Sequence, residues 1–436
     1  MFSKSTRSIF LTGFALFAMF FGAGNLIFPP MIGVNAGSSA NTAMAGFLVT
    51  GVALTVLGMI AAGTLRNGEI RIADRVGTKF GIVFTTVLVL IIAMLYATPR
   101  VATVSFEMGV VPFAGDHQLT LLIYTGAFFA ICYALILQPA KIIDRIGVYL
   151  TPALLILLVI VAVASFTLPD MDHTTTEAYA QSPFTTGLVE GYFTMDSLAA
   201  LIFAPVILSA LANAGFKGKN LYGGMIKASI IAGILLAIIY LGLLHIGVVG
   251  EGDNGAAVLT NVSNALFGRP GQIIFGLIVF LACLTTALGL MTASVSYFHK
   301  LVPQLSEHTW LVIHIVVAFA LSNLGLDLIL KLVGPLTQLL YPITIAVIVV
   351  ALIESFVVHS RLTWTYRLAA YTATVFAIPE ALHTTGLSAF GFFRPILDFF
   401  PLGSLQMAWL LPALLALGIG FAIDKSRPMV ALSLDS

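Results

Sequence analysis

Charged side chains are what this sequence has least of. Asp, Glu, Lys and Arg make up 9% of its 436 residues, where soluble domains carry roughly a quarter. That excludes an ordinary soluble domain. The formal net charge of +1 gives no basic surface for a nucleic acid or other polyanion. Cysteine is scarce too. Cys132 and Cys283 both lie in apolar runs and read as small packing residues, not as a disulfide framework. His245, His314 and His383 are isolated and read as structural. There is no metal-ligand spacing, no phosphate loop and no nucleophile elbow. Nucleotide hydrolysis, and enzyme chemistry in general, have no residues to carry them.

What is there is apolar. Hydrophobic residues make up 59% of the chain and the mean hydropathy is +1.05. The apolar runs are about 20 residues long, the length of a bilayer-spanning helix, and do not alternate as barrel strands do. The chain is therefore expected to be an all-α protein embedded in a lipid bilayer. The first run starts at Ile9, is too long for the core of a signal peptide, and is expected to be retained.

Twelve spans are expected, at about 8–33, 42–65, 81–111, 119–138, 147–169, 190–214, 221–249, 270–298, 309–325, 332–357, 367–389 and 405–423. Of the 20 Lys and Arg, all but four fall on one side of this layout. Arg269, Lys331 and Arg394 fall on the other, and Arg100 lies inside the third span. The positive-inside rule then places both termini in the cytoplasm, which requires an even number of spans. On the outer side, segment 255–267 is too short to span and suits a surface helix acting as a lid.

One stretch breaks the pattern. Phe21-Gly22-Ala23-Gly24-Asn25-Leu26-Ile27-Phe28-Pro29-Pro30 sits inside the first run, where a helix should be regular. Broken backbone at membrane depth is tolerated only against protein or a wet cavity. Run 190–214 has a second irregularity, with Asp196 inside it and Pro205 expected to interrupt it. The two lie five spans apart, so the units holding them have opposite orientation. Paired interruptions in inverted halves point to a secondary transporter's site. The expected units are residues 1–170 (spans one to five), residues 190–357 (spans six to ten), and residues 358–436 (two peripheral spans and a cytoplasmic tail).

The chemistry follows from the breaks. Amides at the start of the second half-helix, around Gly22–Asn25, favour an anion. Carbonyls freed at the end of the first half, from Ala18 to Phe21, suit a small hard cation. Thr285 and Thr286 in the eighth span could complete its oxygen shell. Asp196 costs about 2.5–3.5 kcal/mol to insert, so a functional role is the default reading, as cation ligand, proton carrier or ammonium contact. Arg100 and Glu107 lie seven apart, on one face of the third span, and suit coupling or part of an outer gate, or only snorkel to the interface.

The run from Phe17 to Pro30, followed by Gly33 and Asn35-Ala36-Gly37, resembles the first helix of the bacterial branched-chain amino acid:cation symporter family. The run Gly191-Tyr192-Phe193-Thr194-Met195-Asp196-Ser197-Leu198 resembles that family's sixth helix. The resemblance implies a LeuT-like fold, a 5+5 inverted repeat plus two peripheral helices, with helices one and six discontinuous. It implies uptake of leucine, isoleucine and valine coupled to Na+, in a bacterial plasma (inner) membrane. Gly22-Ala23-Gly24-Asn25 with Phe28-Pro29 is also similar to the first helix of sodium-coupled amino acid transporters.

That similarity implies residue roles. The amides of Ala23 and Gly24 would hold the substrate carboxylate. The carbonyls of Ala18, Phe21 and Ala282 and the hydroxyls of Thr285 and Thr286 would hold sodium. Asn25 and Thr194 match positions beside the substrate that help bind a second sodium. Phe193, Leu198 and Phe203 would line the side-chain pocket. Coupling to H+ through Asp196 or Glu107, and a nutrient receptor without net flux, stay open as alternatives.

Overall fold

Lipid offers no hydrogen-bond partners, so an apolar chain must satisfy its backbone internally. The computed structural model describes residues 4–64, 71–137, 142–324, 326–358 and 360–427, and every regular element among them is helical. Arg66, Lys141 and the tail beyond Arg427 lie outside the described residues. The first run forms α1 (Lys4–Phe20) and α2 (Ala23–Ala36). The second forms α3 (Ala40–Leu48) and α4 (Leu54–Gly63), joined by the π-helical turn Val49–Ala53. The third forms α5 (Thr78–Leu88) and α6 (Thr98–Gly109), joined by π-helical residues Val89–Ala97, and is followed by the short α7 (Val111–Ala114). Then come α8 (Gln118–Ile136), α9 (Ile142–Arg145), α10 (Thr151–Ser165) and α11 (Glu177–Gln181). The second broken run forms α12 (Pro183–Phe193) and α13 (Asp196–Asn213). The remaining helices are α14 (Gly218–Val249), α15 (Gly255–Phe267), α16 (Arg269–Leu301), α17 (Glu307–Ser322), α18 (Leu326–Leu352), α19 (Trp364–Thr384), α20 (Phe393–Phe399) and α21 (Leu410–Lys425).

Eight helical stretches among the described residues are long and apolar enough to cross a membrane on length and composition. Their outward faces are apolar as well. On α14, Ile230, Ile234, Ile238 and Leu241 are exposed, while Ala232, Leu236, Tyr240 and Leu243 are buried. Both stripes recur at helical spacing. A helix apolar on both faces suits lipid on one side and protein on the other.

Packing centres on the two broken runs. Both α1 and α2 lie along α14; α12 lies along α3, and α13 along α4. Helix α6 crosses α16. Two glycines bring backbones into contact at these crossings. A methyl built on Gly247 would lie 2.0 Å from the Pro30 carbonyl oxygen, and one on Gly187 would lie 1.8 Å from that of Ala43. Outside this body, α19 packs between α18 and α21, and Asp424 of α21 caps the start of α19 by accepting from Trp364 N at 3.0 Å and Thr365 N at 2.9 Å.

Several expectations are corrected. Pro205 does not interrupt its run: α13 continues through it, and the break falls at Thr194–Met195. Pro29 and Pro30 likewise lie inside α2, and the first break is at Phe21–Gly22. A helical proline removes one amide and frees one carbonyl a turn earlier; it weakens the ladder without ending the helix. Pro379, which with Glu380 is expected from the sequence to interrupt the eleventh span, sits inside an unbroken α19 for the same reason. The sixth run begins earlier than position 190, at Pro183. Arg75 does lie in the connection between the second and third runs, and there it is buried in an ion pair with Glu354 at 3.0 Å.

Candidate functional site

Helix α1 ends at Phe20, and Gly22 is extended (φ −106°, ψ −167°). Its amide donates to Asn25 Oδ1 at 3.2 Å, so the asparagine side chain caps the start of α2. A methyl on Gly22 would meet Thr286 Oγ1 at 3.1 Å, so the break is pressed against α16. At the second break Met195 adopts left-handed geometry (φ 61°, ψ 17°). For a residue with a bulky side chain this costs about 1–3 kcal/mol and persists only where the surroundings enforce it. Thr194 turns its hydroxyl back to Gly191 O at 2.9 Å. Asp196 is then the first residue of α13, where the helix dipole favours its carboxylate.

The two breaks touch. Asn25 Nδ2 donates to Asp196 Oδ2 at 2.7 Å and also to the hydroxyl of Tyr240 on α14. Asn25, Asp196 and Tyr240 are all buried. Asp196 is therefore not at a wet helix end; it joins α2 to α13. One residue on, Ser197 donates to Tyr341 of α18 at 2.8 Å. Tyr240 carried no motif in the sequence. Its only signal is a hydroxyl within an apolar stretch, with a partner 215 positions away.

Four of the five predicted cation ligands lie together. Thr285 Oγ1 donates to Ala18 O at 2.8 Å, and lies 3.0 Å from Ala282 O. Thr286 Oγ1 lies 3.5 Å from Ala18 O. Four neutral oxygens thus gather where α1 ends against α16. Such a set suits a hard alkali cation and not a transition metal. Among the described residues no cluster of three His, Cys, Asp or Glu could hold a metal. Phe21 is buried at the break, its ring 5.3 Å from Phe17 and 6.1 Å from Tyr240.

The remaining candidates divide. Ala23 and Gly24 form the first turn of α2, where amides lack intrahelical partners. Phe193 and Thr194 are half-buried at the end of α12. Leu198 is fully buried, one turn into α13. Phe203 packs edge-on against Phe20 with centroids 5.3 Å apart. Arg100 and Glu107 do not form a pair. Arg100 lies beside Gly24 and donates to the Tyr96 hydroxyl at 3.1 Å. Glu107 is exposed, about 10 Å further along α6 at 1.5 Å per residue.

A cavity of about 720 Å³ opens at the end of the molecule nearest Lys4, Lys217 and Lys300. Ser8 and Thr12 of α1, Ser209 and Asn213 of α13, Thr292 of α16 and His308 of α17 line it. Along α1 and α13, the Phe20–Phe203 contact lies between this cavity and the breaks. At the opposite end α15 is seated on α2: a methyl on Gly255 would lie 2.2 Å from Ile27 O.

An apolar chain, helical in every regular element among its described residues, with two interrupted helices meeting at a buried polar cluster, is built as a multi-pass membrane protein. The chain belongs to the branched-chain amino acid transport protein family, whose model matches residues 5–427. It is 39% identical over 428 residues to the branched-chain amino acid permease BrnQ of Corynebacterium glutamicum, covering 97% of this chain and 96% of that one. It is 39% identical over 437 residues to the permease BraB of Bacillus subtilis, with the same coverage. The Escherichia coli K12 permease BrnQ is 35% identical over 432 residues, again with 97% and 96% covered. These relatives are transport permeases, not enzymes. Among solved structures, Mhp1, a nucleobase-cation-symport-1 family transporter in a closed conformation with bromovinylhydantoin bound, superposes with a TM-score of 0.61. It is 14% identical and the match covers 98% of this chain and 94% of that one, so the likeness concerns the fold.

Proposed function

We propose that this protein imports leucine, isoleucine and valine across the bacterial inner membrane by symport with Na+. The observation that carries this reading is the contact between the two breaks, with a neutral oxygen cluster directly beside it. The first-turn amides of α2 would hold the substrate carboxylate, and carbonyls at the end of α12 its ammonium. Phe193 and Leu198 would face the apolar side chain. Ala18, Ala282, Thr285 and Thr286, with Phe21, would hold the sodium ion between α1 and α16. Sodium there would fix α1 against α16, and so bias the carrier toward the state that receives substrate from outside.

The twelve-span, 5+5 arrangement belongs to the same proposal. The helix pairing supports it. Exchanging runs one to five with six to ten turns the α1–α14 contact into the α12–α3 contact and the α2–α14 contact into the α13–α4 contact. It likewise turns α4–α18 into α14–α10, and leaves α6–α16 unchanged. Both termini would face the cytoplasm, with the 720 Å³ cavity as the inner exit and α15 as the outer cover.

Leucine uptake into proteoliposomes under an imposed sodium gradient tests the reading. Accumulation that follows sodium and is competed by isoleucine and valine is expected. Uptake indifferent to sodium but driven by a pH gradient would favour a second reading, in which the buried Asp196 carries a proton. Saturable binding without counterflow would make the protein a receptor.

A further inference from the structure

Arg100 has a position that neither a gate nor a surface charge explains. It lies inside the third run, where a positive charge is costly to insert. Such a residue is expected to find an acidic partner, and Arg100 forms no ion pair with a described residue. Its guanidinium sits over the Tyr96 ring, 5.4 Å from the centroid, and donates to that residue's hydroxyl at 3.1 Å. A guanidinium has five N–H donors in a planar fork, so most of its donors remain for another ligand. Its Nη2 faces the start of α2: a methyl built on Gly24 would lie 3.7 Å from it.

The electrostatics of that spot are one-sided. The start of α2 carries about half a positive charge, and Arg100 adds a full one. The acid at the breaks, Asp196, already accepts a hydrogen bond from Asn25. Two positive elements set side by side in an apolar surround repel each other unless an anion lies between them. A carboxylate fits both: two oxygens can accept from the guanidinium fork while the α2 amides reach the same group.

We propose that Arg100 is a binding residue for the substrate carboxylate, acting across from the first turn of α2 and setting selectivity for an α-carboxylate over neutral analogues. This rests on the reading of the protein as an amino acid carrier. It assigns Arg100 to ligand recognition and leaves Glu107 out of the site.

The test is competition against radiolabelled leucine on the purified full chain in detergent, with unlabelled leucine and leucinamide as competitors. In the wild type, leucinamide should compete far more weakly than leucine. In Arg100→Gln, leucine should weaken by about ten- to a hundredfold, the value of one charge-assisted contact, while leucinamide changes little, so the gap closes. Arg100→Lys keeps the charge but loses the fork; its leucine-to-leucinamide ratio should fall between the two. Should Arg100→Gln fail to fold, the lysine variant carries the test alone. An unchanged ratio in a folded variant removes Arg100 from the carboxylate site while leaving the carrier reading intact. No leucine binding by the wild type would instead overturn the carrier reading.

Discussion

Asn25 donates to Asp196 at 2.7 Å, across 171 residues of sequence. With this bond the second half of the first broken helix holds the second half of the other. The same asparagine accepts from Gly22 N at 3.2 Å. One side chain therefore shapes its own break and fixes it against its counterpart.

The pairing should be exchangeable. Asp196→Asn keeps an oxygen that can accept from Asn25 but removes its charge, and should lower leucine uptake by up to about tenfold, because a buried hydrogen bond to a charged group contributes about 1.5–3 kcal/mol against about 0.5–1.5 for a neutral one. Asn25→Asp sets two carboxylates together and should be worse. The double exchange restores one carboxylate facing one amide, in swapped order, and should recover part of the activity. Uptake is compared at equal membrane levels by immunoblot. No recovery in the double variant would show that Asp196 acts by its own charge at its own position.

The oxygen cluster makes a separate prediction. Thr286→Ala removes one hydroxyl near Ala18 O and should raise the sodium concentration for half-maximal uptake about tenfold, the value of about 1.4 kcal/mol. Thr285→Ser keeps the oxygen that contacts Ala18 and Ala282 and should leave the sodium dependence nearly unchanged. Initial uptake rates over a sodium series measure both. An unchanged dependence in Thr286→Ala would take that hydroxyl out of the shell.

These residues differ in how far the sequence announced them. The breaks were legible because Gly22, Gly24 and Asn25 violate helix chemistry inside an apolar run, and a carboxylate in such a run needs a reason. The threonine pair gained meaning only by resemblance, since each could equally have bonded back to its own helix, as Thr285 also does to Leu281 O at 3.0 Å. The prolines misled because a ring within a long packed helix removes one hydrogen bond without stopping the turn. Tyr240 and the placement of Arg100 were hidden because both depend on contacts between distant runs. Periodicity reports which face a residue occupies, not what stands opposite it. The seven-residue spacing of Arg100 and Glu107 gave them a common face and nothing more.

Helix α15 offers a test at the end of the molecule opposite the cavity. Gly255 lies against Ile27 O, so close that any side chain must push α15 away from α2. Asn254 caps α15 through Ala257 N at 2.9 Å, so the helix itself should survive the change. Gly255→Val should therefore keep the protein folded, as judged by size-exclusion profile, and lower uptake several-fold. Normal uptake in that variant would mean that close seating of α15 is not needed for the transport cycle.

The 720 Å³ cavity can be probed because cysteine is so scarce. Cys132 and Cys283 are both buried, which keeps the background of thiol labelling low. Ser209 is exposed in the cavity at the basic end of the molecule. Ser209→Cys should react with a membrane-impermeant maleimide in inside-out vesicles and resist it in right-side-out vesicles. Above it, Phe203 and Phe20 close the way toward the breaks. A cysteine at Ser197, next to Asp196 and fully buried, should stay unlabelled on the Phe203 background and become reactive from the inner side when Phe203→Ala is added. Removing a buried Phe costs about 3–5 kcal/mol where the cavity cannot collapse, so Phe203→Leu serves as the milder variant. Labelling of Ser197→Cys that ignores both changes would place the barrier elsewhere than at the Phe20–Phe203 contact.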